Sequence, residues 1–301
     1  MPNPRPTYEH TTTLVTRRCS ERRFFLQPSP LVTLLFKFLV AVASFRTGVK
    51  LHALAVLSNH YHLVASDPNG NIPEFYGYLH SLLARCLNAS RGRFEAMWSS
   101  EETNRVSLED ANAVVREVSY TLANPTTSGL VERSELWEGI RLWWQNDPQV
   151  VERPDFFFDD DGEVPETAFL VFVPPPQLAD LPDQGVALVE AECERLESKM
   201  RRRARTLGRR FLGLAAVRSQ HWSESPTTFE KRRGLRPRVA TRSTWRRISA
   251  LQRNKQFEAA YAEVRERLLA GESGLIWPYG TYKMCVTYGF AREPRPAAAF
   301  G

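Results

Sequence analysis

The chain has 301 residues, of which 43% are hydrophobic and 11% aromatic. This apolar content can bury a core, which excludes an intrinsically disordered chain. Its four cysteines lie far apart and form no CxxC pair, which excludes a disulfide scaffold and a thiolate zinc site and favours a reducing, cytoplasmic location. The longest apolar run, residues 31–45, contains Lys37 and is shorter than a membrane-spanning helix requires, so no membrane segment is predicted.

The formal net charge of +6 is unevenly distributed along the chain. Residues 1–145 carry a net charge of +2, residues 146–198 a net charge of −12, and residues 199–301 a net charge of +16. A basic C-terminal third is typical of proteins that bind polyanions. A solvated basic surface would give the same composition, so charge by itself leaves both interpretations open.

The first half of the chain alternates predicted strands and helices. Strands are predicted at residues 11–16, 49–57 and 60–65 and within 94–106. Helices are predicted at residues 31–45 and 72–89, and a third is opened by a capping box at 107–110 and stopped by Asn124-Pro125. The order β, α, β, β, α, β, α predicts an α+β fold, a ferredoxin-like antiparallel sheet with helices packed on one face.

The composition changes after Trp144 and predicts three parts of the chain. We expect a first domain at residues 1–145, an acidic, proline-rich linker at 146–186, and a basic, mostly helical extension at 187–301. The linker contains the aspartate run at 159–161 and a short predicted strand at 168–173. In the extension, helices are predicted at 186–206 and 245–269 and a last strand at 280–286.

His60 and His62 lie two residues apart on a predicted strand. Their side chains should therefore project from the same face, with Tyr61 pointing the other way. Two imidazoles on one face can bind a single divalent ion. Because an isolated HxH pattern is more often an ordinary pair of sheet-surface histidines, the pair needs a partner elsewhere in the chain.

Tyr120 and Asn124 lie one turn apart on the predicted helix that the capping box at 107–110 opens. The apolar stripe of that helix is predicted to comprise Leu108, Ala111, Val115, Val118 and Leu122. At about 100° per residue, Tyr120 and Asn124 project from nearly the opposite side, where no packing role is expected. Glu117 shares this polar side, either as a further metal ligand or as a solvated carboxylate.

Two segments together carry a family resemblance. Residues 57–64 (LSNHYHLV) and 120–131 (YTLANPTTSGLV) resemble the signatures of the single-tyrosine HUH transposases. They are closest to the REP-associated tyrosine transposase branch, in which a strand Asn-His-x-His is followed by Tyr-x-x-x-Asn-Pro-x-x-x-Gly-Leu-Val. The resemblance covers roughly residues 8–144 and implies that family's ferredoxin-like catalytic domain.

The resemblance also implies roles for individual residues. His60, His62 and Asn124 would be metal ligands, and Tyr120 would be the nucleophile. Arg17 and Arg18 follow the first predicted strand, where the family often carries basic residues that suit DNA. Tyr61 is rejected as the nucleophile because it should point away from the histidine face.

The implied activity is that of a metal-dependent endonuclease and strand transferase on single-stranded, hairpin-containing DNA. Tyr120 would form a 5′-phosphotyrosine intermediate, and either Mg²⁺ or Mn²⁺ would serve as the cofactor. Monomer and homodimer both remain open. Three alternatives also stay open: a DNA-binding protein of the same fold that does not cleave, an HUH nicking enzyme of replication or conjugation, and a metal-dependent hydrolase that uses the HxH pair.

Arginines interleaved with aromatic residues predict DNA contacts in the extension. The candidate DNA-binding residues there are Arg201, Arg202, Arg203, Arg209, Arg210, Arg232, Arg233, Arg236, Arg238, Arg246 and Arg247. The alternative is a structural appendage whose arginines pair with the acidic residues of 146–198.

Overall fold

The computed structural model describes residues 4–157, 164–228 and 237–296. The aspartate run at 159–161 lies outside these residues. The strands of the described part are β1 (Thr11–Arg18), β2 (Lys50–Leu57), β3 (His60–Asp67), β4 (Asn104–Leu108), β5 (Arg141–Trp143), β6 (Gln149–Glu152), β7 (Thr167–Leu170), β8 (Val239–Ala240), β9 (Ile276–Trp277) and β10 (Ala291–Arg292). Its helices are α1 (Pro30–Thr47), α2 (Ile72–Ser90), α3 (Ala111–Leu122), α4 (Asn124–Thr127), α5 (Pro182–Thr206), α6 (Leu214–Ser219), α7 (Thr244–Leu269) and α8 (Lys283–Tyr288).

A six-stranded sheet in the order β5-β2-β3-β1-β4-β8 organises the structure. Its four central strands, β2-β3-β1-β4, pair antiparallel throughout, and α1 and α2 make the two crossovers between them. This is the ferredoxin-like order. At the edges, β5 pairs antiparallel with β2 and β8 pairs parallel with β4. The α+β prediction with a mostly antiparallel sheet is confirmed.

Helices cover both faces of the sheet, whereas the sequence predicts helices on one face only. Tyr61 packs against Phe36 of α1, with ring centroids 5.3 Å apart, and its hydroxyl bonds to Nε2 of His80 in α2 at 2.6 Å. Its neighbour on β3, His62, projects from the other face and contacts the Tyr120 ring of α3. Both faces need helices because β2 and β3 are buried along almost their whole length.

Helix α1 begins at a serine cap and ends at a glycine. Ser29 Oγ accepts a hydrogen bond from the Val32 amide at 3.2 Å, and Gly48 closes the helix at φ 76°. With 18 residues and a mean hydropathy of 1.5, α1 is long and apolar enough to cross a membrane by those criteria alone. Here 56% of it is buried, and it packs against α2 as a core helix.

The hydrophobic core continues into the segments that follow Trp144. Strands β6 and β7 pair with each other and pack on α1, and β7 contributes Ala168 and Leu170 to the core. Helix α5 packs on α3 and adds Val189 and Cys193. The strand predicted at 280–286 is wrong: the structure has α8 there, closed by Gly289 at φ 72°.

A buried histidine ties β2 and β3 to the segment after β7. His52 is fully buried, its Nδ1 lies 2.7 Å from the Val173 carbonyl, and its Nε2 lies 2.7 Å from Ser66 Oγ. The carbonyl can only accept, so Nδ1 donates and Nε2 accepts from the serine. Burial lowers the pKa of His52 from 6.5 to about 4, so this imidazole is neutral in the native state.

We expect His52 to make the protein less stable as the pH falls. Below pH 6.5 the His52 of the unfolded chain takes up a proton, whereas the native His52 binds it only near pH 4. The contribution of His52 to the free energy of unfolding is therefore full above pH 6.5 and is lost as the pH falls towards 4. The loss amounts to about 3 kcal/mol. Urea unfolding of the wild type and of His52→Gln between pH 4 and 7 measures the slope of the free energy of unfolding against pH. His52→Gln should flatten it, whereas His10→Gln, at an exposed histidine, should not; equal slopes in all three proteins would contradict the assignment.

Candidate active site

The histidine pair lies at the start of β3, directly after a tight turn. His60 is opposite Arg18 of β1 and Leu57 of β2, while His62 is opposite Thr16 and Ala55. The centroids of the two imidazole rings are 5.0 Å apart and their planes are nearly perpendicular, at 87°. The structure therefore places both rings side by side on one face, as the strand periodicity predicts.

The turn before β3 fixes the tautomer of His60. Asn59 donates through its side-chain nitrogen to the Arg22 carbonyl at 3.1 Å, which leaves its Oδ1 facing His60 Nδ1 at 2.7 Å. Because that oxygen only accepts, Nδ1 of His60 is the donor in this hydrogen bond, which leaves Nε2 as the ring nitrogen that a metal could bind. Asn59 thus orients a candidate ligand. The sequence places it in the motif without indicating this role.

His62 is held by a threonine from the neighbouring strand. Its Nδ1 lies 2.8 Å from Thr16 Oγ1, and its Nε2 is buried without a hydrogen-bond partner among the described residues. Burial, together with the nearby His60 and Arg18, holds the pKa of His62 well below its usual value. His62 is therefore neutral, with an unpaired ring nitrogen of the kind that a metal ion binds. The register that brings Thr16 to His62 could not be derived from the sequence.

Helix α3 brings Tyr120 over the histidines. The helix is capped by Asp110, which accepts from the Ala113 amide at 2.7 Å, so the predicted capping box at 107–110 is wrong. The Tyr120 ring meets the His62 ring edge-on, with centroids 5.2 Å apart. Tyr120 is also 38% exposed, so its side chain is accessible from solvent.

The predicted apolar stripe of this helix needs correction. Leu108 belongs to β4 and Ala111 is exposed, while Val114, Val118 and Leu122 are buried. The helix begins after Leu108, and because it packs on α5 as well as on the sheet, its buried face also includes Ala113, Ser119 and Thr121. The exposed position of Tyr120 is unaffected.

Asn124 begins the short helix α4, one turn beyond Tyr120. The sequence predicts an exposed amide beside the phenol, but Asn124 is buried, and its Oδ1 accepts from Ser128 Oγ at 3.0 Å. No group of three or more His, Cys, Asp or Glu side chains suited to a metal occurs in the described part of the chain. The Asn124 amide is a neutral oxygen donor of the kind that Mg²⁺ and Mn²⁺ accept as a ligand. Glu117 is engaged by Arg116, whose Nε lies 2.9 Å from its Oε1.

Helix α5 braces the elements that carry Tyr120 and Asn124. Ser119 Oγ lies 3.1 Å from the Val189 carbonyl of α5 and 2.7 Å from the Val115 carbonyl of its own helix, so its single proton is shared between the two helices. Farther along α5, Glu197 is buried, accepts from the Ser134 amide at 3.1 Å, and pairs with Arg201 at 3.1 Å. Ser134 Oγ in turn bonds to Thr126 Oγ1 of α4 at 3.0 Å. A buried glutamate thus links α5 to the helix that begins with Asn124.

The two arginines at the end of β1 have different surroundings. Arg18 is exposed and lies on the face of His60. Arg17 points to the opposite face, where its guanidinium lies 5.9 Å from the Trp98 ring and donates to the Glu101 carbonyl. Burial lowers the pKa of Arg17. Of this pair, Arg18 is the residue that shares the face of the histidines.

The candidate DNA-binding arginines of the C-terminal third fall into three groups. Those with protein partners are Arg201 (Glu194 and Glu197), Arg238 (Glu258) and Arg246 (the Glu109 carbonyl). The other arginines within the described residues, Arg202, Arg203, Arg209, Arg210 and Arg247, are exposed, as is Arg246. Outside the described residues lie Arg232, Arg233 and Arg236.

Comparison with models of protein families gives no match, and no curated protein matches the chain. Among solved structures, the chain is similar to one described as a REP-associated tyrosine transposase bound to a REP hairpin, with 14% identity and a TM-score of 0.39 over 46% of this chain and 79% of that one. A second, described as a candidate transposase from Deinococcus radiodurans R1, gives 18% identity and a TM-score of 0.27 over 35% of this chain and 85% of that one. Both descriptions name transposases.

Proposed function

We propose that this protein is a transposase, a metal-dependent endonuclease and strand transferase acting on single-stranded DNA with hairpin structure. The observation that carries the proposal is the contact between the exposed Tyr120 ring and buried His62, whose Nε2 has no hydrogen-bond partner among the described residues. Both motifs of the family resemblance thus meet at one place. The exposed arginines of the C-terminal third and Arg18 supply positive charge for a DNA backbone.

The Tyr120 hydroxyl is the nucleophile of the proposed reaction. Its oxygen forms a bond to the scissile phosphorus, and the bond from phosphorus to the 3′ oxygen breaks with its electron pair remaining on that oxygen. The phenolic proton passes to solvent and a proton returns to the 3′ oxygen, giving a 5′-phosphotyrosine and a free 3′-OH. Attack by a second 3′-OH on the phosphotyrosine reverses the step and joins two strands.

His60, His62 and Asn124 would hold the divalent ion. When bound, Mg²⁺ or Mn²⁺ would supply Lewis-acid activation of the phosphate, and imidazole nitrogens suit Mn²⁺ better than Mg²⁺. Asn59 and Thr16 keep the two imidazoles in place through their Nδ1 atoms. A hydrogen bond to the other ring nitrogen of a metal-binding histidine typically sets its tautomer and its ring orientation.

The test is to trap the covalent intermediate. Full-length protein is incubated with a pool of labelled single-stranded hairpin oligonucleotides plus Mn²⁺, Mg²⁺ or EDTA, and protein–DNA adducts are resolved under denaturing conditions. We expect an adduct with either metal and none with EDTA. Peptide mass spectrometry should show that the DNA is attached to Tyr120. DNA binding without an adduct in any metal would favour a non-cleaving DNA-binding protein. An adduct on another residue would overturn the assignment of Tyr120.

A further inference from the structure

A small cavity on the other face of the sheet has a lining suited to an anion. Its volume is about 60 Å³, and it lies between the N-terminal segment, β1, β4, the start of α2 and α7. On β4, Arg105 and Ser107 lie opposite Val15 and Thr13 of β1. Side chains alternate between the two faces of a strand, so these residues project from the face opposite to that of Thr16, which bonds to His62. The cavity is thus separate from the candidate active site.

The charged side chains that line this cavity are all arginines. They are Arg5, Arg105, Arg238 and Arg253. The polar remainder of the lining consists of hydroxyls and one amide, including Thr7, Tyr8 and Asn254. Guanidinium groups only donate hydrogen bonds, and hydroxyls and amides can also donate, so the cavity offers converging donors and positive charge.

Three of these arginines have carboxylate partners. Arg5 lies 3.8 Å from Glu102, Arg253 lies 3.1 Å from Glu109, and Arg238 pairs with Glu258. These three glutamates do not line the cavity. The three glutamates balance the charges of three arginines, so the positive charge of the fourth arginine is not balanced by a carboxylate.

Arg105 is that fourth arginine. It forms no ion pair with the described residues; its Nη1 donates to Thr7 Oγ1 at 3.2 Å, and its guanidinium lies 6.0 Å from the Tyr76 ring. The hydroxyl and the ring fix the guanidinium but do not neutralise it. A half-buried arginine with no carboxylate is the expected partner of an incoming anion.

The tyrosine of the cavity is also held in place. Arg253 lies 5.4 Å from the Tyr8 ring, and Tyr8 stacks on Tyr279 with centroids 5.4 Å apart. Burial raises the pKa of Tyr8 to about 12, so the phenol keeps its proton and can donate it in a hydrogen bond. The cavity is preorganised by residues from both ends of the chain.

We infer that this cavity is a phosphate-binding site. Its volume is far below the roughly 300–1,000 Å³ typical of sites that enclose a whole small molecule, and suits a single tetrahedral phosphate group. That group could come from inorganic phosphate, from the 5′ end of a nucleic acid or from an internal phosphodiester. The nucleic-acid sources rest on the proposed function, whereas the binding of inorganic phosphate does not.

The test measures phosphate binding to the full-length protein by calorimetry, without divalent metal and at constant ionic strength set with chloride. The variant is Arg105→Gln, and the matched control is Arg267→Gln, which removes a half-exposed arginine of α7 paired with Glu272. We expect Arg105→Gln to weaken phosphate binding about tenfold and the control to leave it unchanged. If Arg105→Gln does not fold, Arg105→Lys takes its place, because it keeps the charge but loses the fork geometry and should also weaken binding.

A second experiment identifies the source of the phosphate. A short single-stranded oligonucleotide is titrated with and without a 5′-phosphate, against wild type and Arg105→Gln. Arg105-dependent binding of only the phosphorylated form supports a terminal phosphate, and equal dependence for both forms supports an internal phosphodiester. No binding of inorganic phosphate, or binding equally strong in Arg105→Gln, overturns the site even if the Tyr120 adduct forms. Conversely, Arg105-dependent phosphate binding stands even if no adduct is found.

Discussion

Replacing Tyr120 by phenylalanine is expected to abolish the protein–DNA adduct, with a loss of at least about a thousandfold in its rate. The substitution removes one hydroxyl and keeps the ring that meets His62 edge-on at 5.2 Å. Because Tyr120 is 38% exposed, the free energy of unfolding should change by no more than about 0.5 kcal/mol. DNA binding should persist, because the charges that attract the backbone are untouched.

Two other tyrosines provide controls for this experiment. Tyr288 is exposed on α8, and Tyr288→Phe should leave adduct formation unchanged. Tyr61 lies between the histidines in sequence, but it is fully buried, bonds to His80 and has a pKa raised by burial. Tyr61→Phe should keep the adduct while lowering the free energy of unfolding by about 1 kcal/mol, the net contribution of a lost hydrogen bond. An adduct that survives in Tyr120→Phe and disappears in Tyr61→Phe would reverse the assignment.

The local pattern of the sequence predicts the central strands and helices because their periodicity runs over many residues. The strand of His60 and His62 and the helix of Tyr120 are of this kind, and α1 differs from its predicted range by only one or two residues at each end. Short edge strands such as β5 and β8, of three and two residues, carry no periodic signal. They form because a neighbouring strand presents unpaired backbone groups.

The meeting of Tyr120 with His62 follows from the family resemblance and not from spacing along the chain. No local rule places residue 120 over residue 62, since their proximity depends on how α3 crosses the sheet. The same holds for Thr16 and Asn59, whose roles rest on strand register and on one turn. The sequence predicts α5 as a helix, but it does not predict which element α5 packs against. Its packing on α3 is visible only in the folded structure.

Glu197 is the residue of α5 whose loss we expect to destabilise the protein most. It is 5% exposed and serves two groups, the Ser134 amide at 3.1 Å and the Arg201 guanidinium at 3.1 Å. Glu197→Ala leaves the buried amide without an acceptor and removes the buried partner of Arg201. We expect the free energy of unfolding to fall by about 3 kcal/mol, measured by urea denaturation.

The same substitution should slow adduct formation at temperatures where the protein stays folded. Ser134 connects Glu197 to Thr126 of α4, so losing the anchor frees the segment that begins with Asn124. Glu194→Gln is the matched control, because Glu194 pairs with the same Arg201 at 2.6 Å but is 66% exposed. Solvent screens this ion pair, so Glu194→Gln should change the free energy of unfolding far less than Glu197→Ala does. Glu197→Gln, which can still accept from Ser134, should restore much of the adduct rate relative to Glu197→Ala. Equal losses of adduct rate in Glu194→Gln and Glu197→Ala would mean that α5 affects the reaction through the charge balance at Arg201 and not through the buried link to α4.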